Sequence, residues 1–385
     1  MIVGVPTEAI TGENRVAQTP ETTKQLVDMG LTVHVQKGAG VAAGYPDKDY
    51  EQAGAKIVPT LNIAKVDVLT HVRPLTTTAV NKLSAGTITV GLASPASEGP
   101  VVKALAKKKI TAFALELVPR ISRAQSMDAL TSQALVAGYR CVLEGAMRFP
   151  RFFPLYMTAA GTVPPANVLV LGAGVAGLQA IATAKRLGAK VQAYDVRSAS
   201  ADEVRSMGGQ FIELDLDAQA DGQGGYAKEL SSDRQKRQQE LLTPYVTAAD
   251  IIITTAAIPG RPAPRLITKK MMADMKPGSV IIDLAAETGG NVEGTVAGKD
   301  TELKVQGGKG TVTLVGMKDV PSSMAYDASR LYAKNIANLL ALMNVDGRIQ
   351  PDFEDEVVAG ACLTRDGDIT HEPTREALSS QKKGA

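Results

Sequence analysis

Tryptophan is absent from the 385 residues, and all aromatics together make up only 4% of them. A chain so poor in rings has little to offer as a stacking platform for unpaired bases. An excess of one charge is missing too: 42 Lys and Arg face 40 Asp and Glu, a formal net charge of +2. No net field is left to attract a polyanion, so nucleic acid and anionic membrane surfaces are set aside as partners. Cysteine occurs twice, at Cys141 and Cys362, too sparsely for a disulfide framework and in keeping with a reducing cytosol. The three histidines, His34, His71 and His371, stand far apart with no cysteine cluster beside them, and no metal site is expected. Met1-Ile-Val-Gly-Val-Pro6 lacks the basic flank and long apolar run of a secretory signal and reads as a buried strand.

Charge is also missing from Phe152 to Ala184, a run long enough to raise a membrane span. Pro154, Pro164, Pro165, Asn167 and several glycines cut it into short pieces. A strand, a turn and a helix inside an α/β core carry the same pattern, and that is the reading adopted.

What is present is ordinary globular composition, 44% apolar and 21% charged, in a chain long enough for two domains. The first third alternates β-rich and helical runs. Strands are expected at Ile2–Val5, Thr32–Gln36, Asp67–Val72, Ile88–Leu92 and Ile110–Leu117, with helices at Thr19–Met29 and Val101–Lys108. This is the rhythm of a parallel sheet covered by helices. One long helix is expected over Ser126–Phe149, then a Pro/Gly-rich linker over residues 150–165 that announces a new domain. From Asn167 the alternation restarts and runs to Val315, and a second long helix covers Ser322–Met343. The tail Val357–Leu363, with Asp366-Gly367 and Ile369–His371, reads as a β-hairpin. The expected fold is therefore α/β, two Rossmann-like domains with parallel sheets, linked by two long helices, with a ligand cleft between them. The first domain takes residues 1–130 plus 320–385, the second residues 131–319.

The strongest local signal is Val168-Leu-Val-Leu-Gly172-Ala173-Gly174-Val175-Ala-Gly177, followed by an unbroken helical run, a second strand and Asp195. A lone GxGxxG is weak; here strand, glycines, helix, strand and acid stand in register. Gly172 suits the tight turn, Gly174 lets backbone approach a pyrophosphate, and Gly177 lets the helix pack close to its strand. The helix N-terminus offers N–H groups and partial positive charge to phosphate. Asp195 ends the second strand, where a carboxylate accepts both hydroxyls of an adenine ribose and repels a 2′-phosphate, favouring NAD(H). Arg197 can neutralise that repulsion. Lys37-Gly38-Ala-Gly40-Val-Ala-Ala-Gly44 is a decoy: its third glycine is late and Pro46 denies it a helix, so it is read as a loop.

A dehydrogenase needs a second reactant and usually a His or Lys acid/base. Glu13-Asn-Arg15-Val, His71-Val-Arg73-Pro, Leu92-Ala-Ser-Pro95 and Pro119-Arg120-Ile-Ser-Arg-Ala-Gln125-Ser-Met-Asp128 are the segments expected to face the cleft. They are rich in arginine and poor in groups that exchange protons near neutrality. His71 is the exception, and a lone histidine beside a strand is more often structural.

Glu13-Asn-Arg-Val-Ala17, Gly38-Ala-Gly40, the glycine fingerprint and Met275-Lys-Pro-Gly-Ser-Val-Ile-Ile-Asp283 resemble the alanine dehydrogenase superfamily along nearly the whole chain. Pro119–Asp128, Thr158-Ala-Ala-Gly-Thr-Val-Pro-Pro165, Gly225-Tyr-Ala-Lys228 and Thr254-Thr-Ala-Ala-Ile-Pro-Gly-Arg-Pro-Ala-Pro264 resemble, more closely, the NAD(H)-binding components of proton-translocating transhydrogenases. Where alanine dehydrogenases carry Lys-Val-Lys-Glu-Pro and Leu-His-Leu-Ala, this chain reads Thr70-His-Val-Arg-Pro74 and Val90-Gly-Leu-Ala93, so the acid/base of alanine oxidation is lost. The resemblance implies direct hydride transfer between NAD(H) here and NADP(H) held on a partner subunit, with membrane-spanning subunits translocating protons. It implies a homodimer, peripheral on the cytoplasmic face of the bacterial inner membrane.

Residue by residue, the resemblance puts Arg120, Gln125, Asp128 and Thr131 at the nicotinamide end, with Arg120 able to pair with Asp128 and reach the pyrophosphate. Asp195, Val196 and Arg197 surround the adenosine ribose; Gly225, Gln238 and Ala257 match further nucleotide contacts. Gly222–Glu229 matches a mobile loop in which Tyr226 covers the bound nucleotide. Taken alone, the 120–131 stretch reads as a helix start rich in caps. A stand-alone alanine- or saccharopine-type dehydrogenase is the alternative activity, and a nucleotide-sensing module without turnover is the alternative class.

Overall fold

The computed structural model describes residues 1–215, 231–258, 261–308 and 310–380. The expected contacts Gly225 and Tyr226, with the loop that carries them, lie outside the described residues. Two compact units are present: unit 1, Met1–Gln133 with Pro321–Ala385, and unit 2, Ala134–Val320.

Unit 1 opens with β1 (Ile2–Val5), β2 (Thr32–Gln36), β3 (Lys56–Val58), β4 (Val68–Thr70), β5 (Ile88–Gly91) and β6 (Thr111–Ala114). Unit 2 contains the hairpin β7 (Tyr156–Thr158) and β8 (Gly161–Val163), then β9 (Asn167–Leu171), β10 (Lys190–Tyr194) and β11 (Gln210–Phe211). It continues with β12 (Ile251–Thr254), β13 (Val280–Asp283), β14 (Asp300–Lys304) and β15 (Thr311–Gly316). The returning chain adds β16 (Asn344–Val345), β17 (Arg348–Ile349), β18 (Cys362–Arg365) and β19 (Asp368–Ile369) to unit 1.

The sheet of unit 1 runs β19-β18-β6-β5-β4-β1-β2-β3, and that of unit 2 runs β11-β10-β9-β12-β13-β15-β14. Both are α/β sheets, and in each the order reverses beside the unit's first sheet strand, at β1/β4 and at β9/β12. Such a switch point is where open α/β sheets bind ligands, outside the carboxyl ends of the strands. Mostly parallel is the accurate description: β14 pairs antiparallel with β15, and β18 antiparallel with β6 and β19.

The central strands of unit 2 carry unbroken apolar runs, with polar residues only at their ends, because both their faces are covered. In β9, Val168 and Val170 enter one core cluster while Leu169 and Leu171 enter another; β12 divides Ile251 and Ile253 from Ile252 in the same way. This two-residue alternation across a buried sheet is what a strand's geometry requires.

Four expectations are corrected. The helix expected from Ser126 begins at Ala129 and ends at Arg148, because the Asp128 carboxylate accepts from Thr131 N at 2.9 Å and caps the helix there. That helix spans the unit boundary, but the second long helix, Ala325–Leu342, lies wholly in unit 1, so one long helix and not two crosses over. Residues 150–165 are no boundary linker; they lie inside unit 2 and carry the β7–β8 hairpin. Val357–Leu363 is not a single strand. Glu356–Ala361 is a helical turn N-capped by Asp355, which accepts from Val357 N and Val358 N, and β18 starts only at Cys362. Short apolar runs carry no period that separates the two. The Asp-Gly hairpin does form, with Asp366 and Gly367 both at positive φ, 53° and 102°. No helix among the described residues is long and apolar enough to cross a membrane.

Candidate functional site

The fingerprint lies at the switch point of unit 2. Gly172 follows β9 with φ 101°, a conformation that side chains rarely adopt. A Cβ on Gly177 would come 1.9 Å from the Gly172 carbonyl oxygen, so only glycine lets the helix Val175–Arg186 seat against the strand. A Cβ on Gly174 would meet nothing within 4 Å, and no side chain caps the helix N-terminus there. The backbone at Gly174 and Val175 is thus exposed, and the N–H groups of this helix start have no side-chain cap, the feature that phosphate binding uses.

Asp195, just past β10, turns its carboxylate back onto this loop. Oδ2 accepts from Ala173 N at 2.7 Å, and Oδ1 accepts from Arg197 N at 2.9 Å. The Arg197 guanidinium donates to both oxygens, at 2.8 and 3.0 Å. Val196 is half-buried beside them. Gln238 is buried rather than open to a ligand; its amide donates to Tyr194 Oη at 2.9 Å and so steadies the residue before Asp195. Ala257 is exposed at the carboxyl end of β12.

In unit 2, two residues escaped the sequence reading. Thr255, after β12, donates its hydroxyl to the Gly172 carbonyl at 3.0 Å and ties the two switch-point loops together. Asn291, fully buried, accepts from Ala256 N and donates to the carbonyls of Ala256 and Pro264. It fixes the backbone beside Ala257. Its neighbours Gly289-Gly290 mark a turn, but nothing in their spacing tells which loop the amide would grip.

In unit 1 the stretch Arg120–Thr131 forms a 3-10 helix, Ser122–Met127, running into the long helix. Arg120 and Gln125 are exposed. Asp128 and Thr131 are joined: the Thr131 hydroxyl donates to Asp128 Oδ2 at 2.6 Å in addition to the backbone cap. The stretch is anchored from the returning chain. Asn335 and Asn338 both donate to the Ser126 carbonyl, and Arg123 grips the Asp355 carboxylate with two nitrogens at 2.9 Å.

Beside the β1/β4 switch point of unit 1 lies a buried ionic cluster. Glu13 accepts from Arg15 Nε and Nη2 at 2.8 and 2.7 Å and from Arg73 Nε at 2.7 Å, and Arg15 Nη1 reaches Gln133 at 2.8 Å. Burial opposes ionisation of Glu13, but the two guanidiniums outweigh it and hold the carboxyl below its usual range. Glu8 accepts from Val72 N and Arg73 N at 2.7 and 3.1 Å, yet burial prevails and lifts its pKa to about 7. His71 is no acid/base near neutrality: burial lowers its pKa to about 4, and Nδ1 donates to its neighbour's carbonyl, Arg73 O, at 2.7 Å. The Gly38–Gly44 stretch follows β2, not β1, and leads into a three-residue 3-10 turn, Val41–Ala43.

The acid that the sequence reading passed over is therefore Glu8, and it yields a pH prediction. Its folded pKa exceeds the ordinary 4.5, so its contribution to stability is full below that pH and is lost as pH rises through about 7. Glu8→Gln stays neutral throughout. Its unfolding midpoint should match wild type near pH ~5 and exceed it by a few degrees near pH ~8. An offset that is the same at both pH values would assign the titration elsewhere.

With this geometry in place, the likeness to known proteins is direct. Residues 4–137 match the alanine dehydrogenase/PNT N-terminal domain and residues 141–372 the alanine dehydrogenase/PNT C-terminal domain. The chain belongs to the alanine dehydrogenase/PNT family. It is 50% identical over 383 residues to the first part of NAD(P) transhydrogenase subunit alpha of Rhodospirillum rubrum, covering 96% of this chain and 98% of that one. Against NAD(P) transhydrogenase subunit alpha of Haemophilus influenzae it is 45% identical, covering all of this chain and 74% of that one. The alanine dehydrogenase of Methanococcus maripaludis is 29% identical over 98% of this chain and 96% of that one. The crystal structure of transhydrogenase from Sinorhizobium meliloti superposes with a TM-score of 0.83 at 41% identity, covering 97% of this chain and 100% of that chain.

Proposed function

We propose that the chain is the NAD(H)-binding component of a proton-translocating NAD(P) transhydrogenase, exchanging hydride directly with NADP(H) held on a partner subunit. The observation that carries this is the switch-point constellation of unit 2, in which the open backbone at Gly174, the uncapped helix N-terminus and the Asp195 carboxylate occupy the places a dinucleotide requires. These residues fit NAD(H). Gly172, Ala173, Gly174, Val175 and Gly177 hold the pyrophosphate end; Asp195, Val196 and Arg197 surround the ribose, with Asp195 as its acceptor; Ala257 borders the nucleotide and Gln238 supports it through Tyr194. Gln125, with Arg120, Asp128 and Thr131, orients the nicotinamide end, and Gly225 and Tyr226 complete the contacts. When bound, the nicotinamide ring supplies the hydride chemistry. The chain's residues supply orientation and exclusion of water, with no covalent step of their own.

An alanine-type oxidation is disfavoured by His71, whose ring is buried, neutral and bonded to its own loop. Fluorescence titration should show NADH binding far more tightly than NADPH, and alanine should not reduce NAD+ on this chain. Equal affinities for the two nucleotides, or alanine-driven reduction, would contradict the reading.

The homodimer belongs to the same proposal. Along and ahead of the β7–β8 hairpin, Phe152, Leu155, Tyr156 and Met157 are exposed, Met157 by 77%, an apolar strip of the kind that marks a protein contact. The membrane-spanning, proton-translocating subunits and a peripheral place on the cytoplasmic face of a bacterial inner membrane complete it. Sedimentation at micromolar concentration should give a dimer; a monomer there would remove the dimer from the proposal.

A further inference from the structure

An ionised carboxylate offers about four acceptor positions, and at Asp195 all four are taken by this chain. Ala173 N and Arg197 Nη2 share Oδ2, at 2.7 and 3.0 Å; Arg197 N and Arg197 Nε share Oδ1, at 2.9 and 2.8 Å. The two backbone donors belong to the glycine loop and to the turn after β10, and both can stay when a nucleotide arrives. The other two come from one guanidinium, one to each oxygen. Two vicinal ribose hydroxyls need that same pair of positions.

We propose that Arg197 is a specificity-determining residue that competes with the adenine ribose for Asp195. The proposal rests on reading unit 2 as the NAD(H) site. The planar fork of the guanidinium occupies the positions that the diol would take and keeps the carboxylate compensated; its side chain is 21% exposed against 8% for Asp195, so it is the member with room to leave. Ribose binding displaces it. Once displaced, it remains tethered two residues from Asp195, where its positive charge offsets the repulsion that Asp195 exerts on a 2′-phosphate. One residue therefore weakens NADH binding and softens the rejection of NADPH.

The test is nucleotide titration of the full chain carrying Arg197→Met, which keeps the apolar stem and removes the fork, and Arg197→Lys, which keeps the charge without the bidentate geometry. Arg197→Met should bind NADH about three- to tenfold more tightly than wild type, the scale of a partly exposed ion pair. Its NADPH affinity should stay level or fall, so that discrimination widens. Arg197→Lys should fall between wild type and Arg197→Met for NADH. Raising the salt concentration should narrow the gap between wild type and Arg197→Met. Equal or weaker NADH binding by an Arg197→Met chain with a wild-type unfolding midpoint would overturn the proposal, since Arg197 would then assist binding. Should Arg197→Met fold poorly, Arg197→Lys binding NADH no more tightly than wild type would overturn it as well. A wild-type chain that binds no NADH would overturn the nucleotide site and this proposal together, an outcome plainly different from the other two.

Discussion

Gln125→Asn is expected to slow single-turnover hydride transfer to NADP(H) on the partner component about 100-fold, with NADH affinity nearly unchanged. The substitution keeps the amide and shortens its reach by one methylene, on the order of an ångström, a misplacement large enough for that loss when two rings must meet at reacting distance. A neutral amide suits the place because it bonds to both oxidation states of the ring without strongly favouring either. Nothing else about the stretch should change. Gln125 is exposed, while its supports are Asn335, Asn338 and the Arg123–Asp355 fork. Asp195→Ala should do the opposite, weakening NADH binding and leaving the rate at saturation close to normal, because the adenine ribose and the glycine loop that Asp195 holds are at the other end of the dinucleotide from the reacting ring. Stopped-flow transfer with the partner component in excess, beside an NADH titration, separates the two effects. Normal transfer by Gln125→Asn would show that the nicotinamide end lies elsewhere.

Glu13→Ala is expected to destabilise unit 1 by about 3–5 kcal/mol, the cost of stranding a buried charge, and to lower its unfolding midpoint by about 10 °C. The Glu13 side chain has no exposed surface, and two guanidiniums converge on it, Arg15 at 4% exposure and Arg73 at 23%. Glu13→Gln, which still accepts a hydrogen bond, should lose less than Glu13→Ala. Denaturant unfolding checks both; a loss below about 1 kcal/mol for Glu13→Ala would mean that water reaches the cluster and screens it.

The fold was legible wherever a period or a fixed spacing expressed it. The uninterrupted apolar runs of β9, β12 and β13 announced strands buried on both faces, and the Gly172–Asp195 spacing announced the dinucleotide loop. The linker reading of residues 150–165 did not hold. Chains often pass between domains through Pro- and Gly-rich linkers, and residues 150–165 have that composition, yet the passage here occurs inside a helix, at Gln133–Ala134. Helical period continues unchanged across such a point. The cluster at Glu8, Glu13, Arg15 and Arg73 shows the other limit. Arg15 and Arg73 read as ligand-facing arginines, but the carboxylate that neutralises both is Glu13, and a pairing of residues 60 apart in sequence is set by the topology of β1 and β4. Asp128 and Thr131 carried two readings from the outset, a cap and a ligand contact. The capping geometry is present, and their role toward the nicotinamide belongs to the proposal.

The central claim is that hydride leaves this chain for another nicotinamide and not for a small metabolite. The most direct measurement mixes the full chain, loaded with NADH, with an NADP(H)-binding transhydrogenase component loaded with an NADP+ analogue of distinct absorbance, and follows both rings in one stopped-flow experiment. The account predicts loss of NADH and gain of the reduced analogue with the same rate constant, with no other acceptor or solvent proton involved. NADH oxidation that occurs without reduction of the analogue, or no exchange at all from a chain shown to bind NADH tightly, would contradict it.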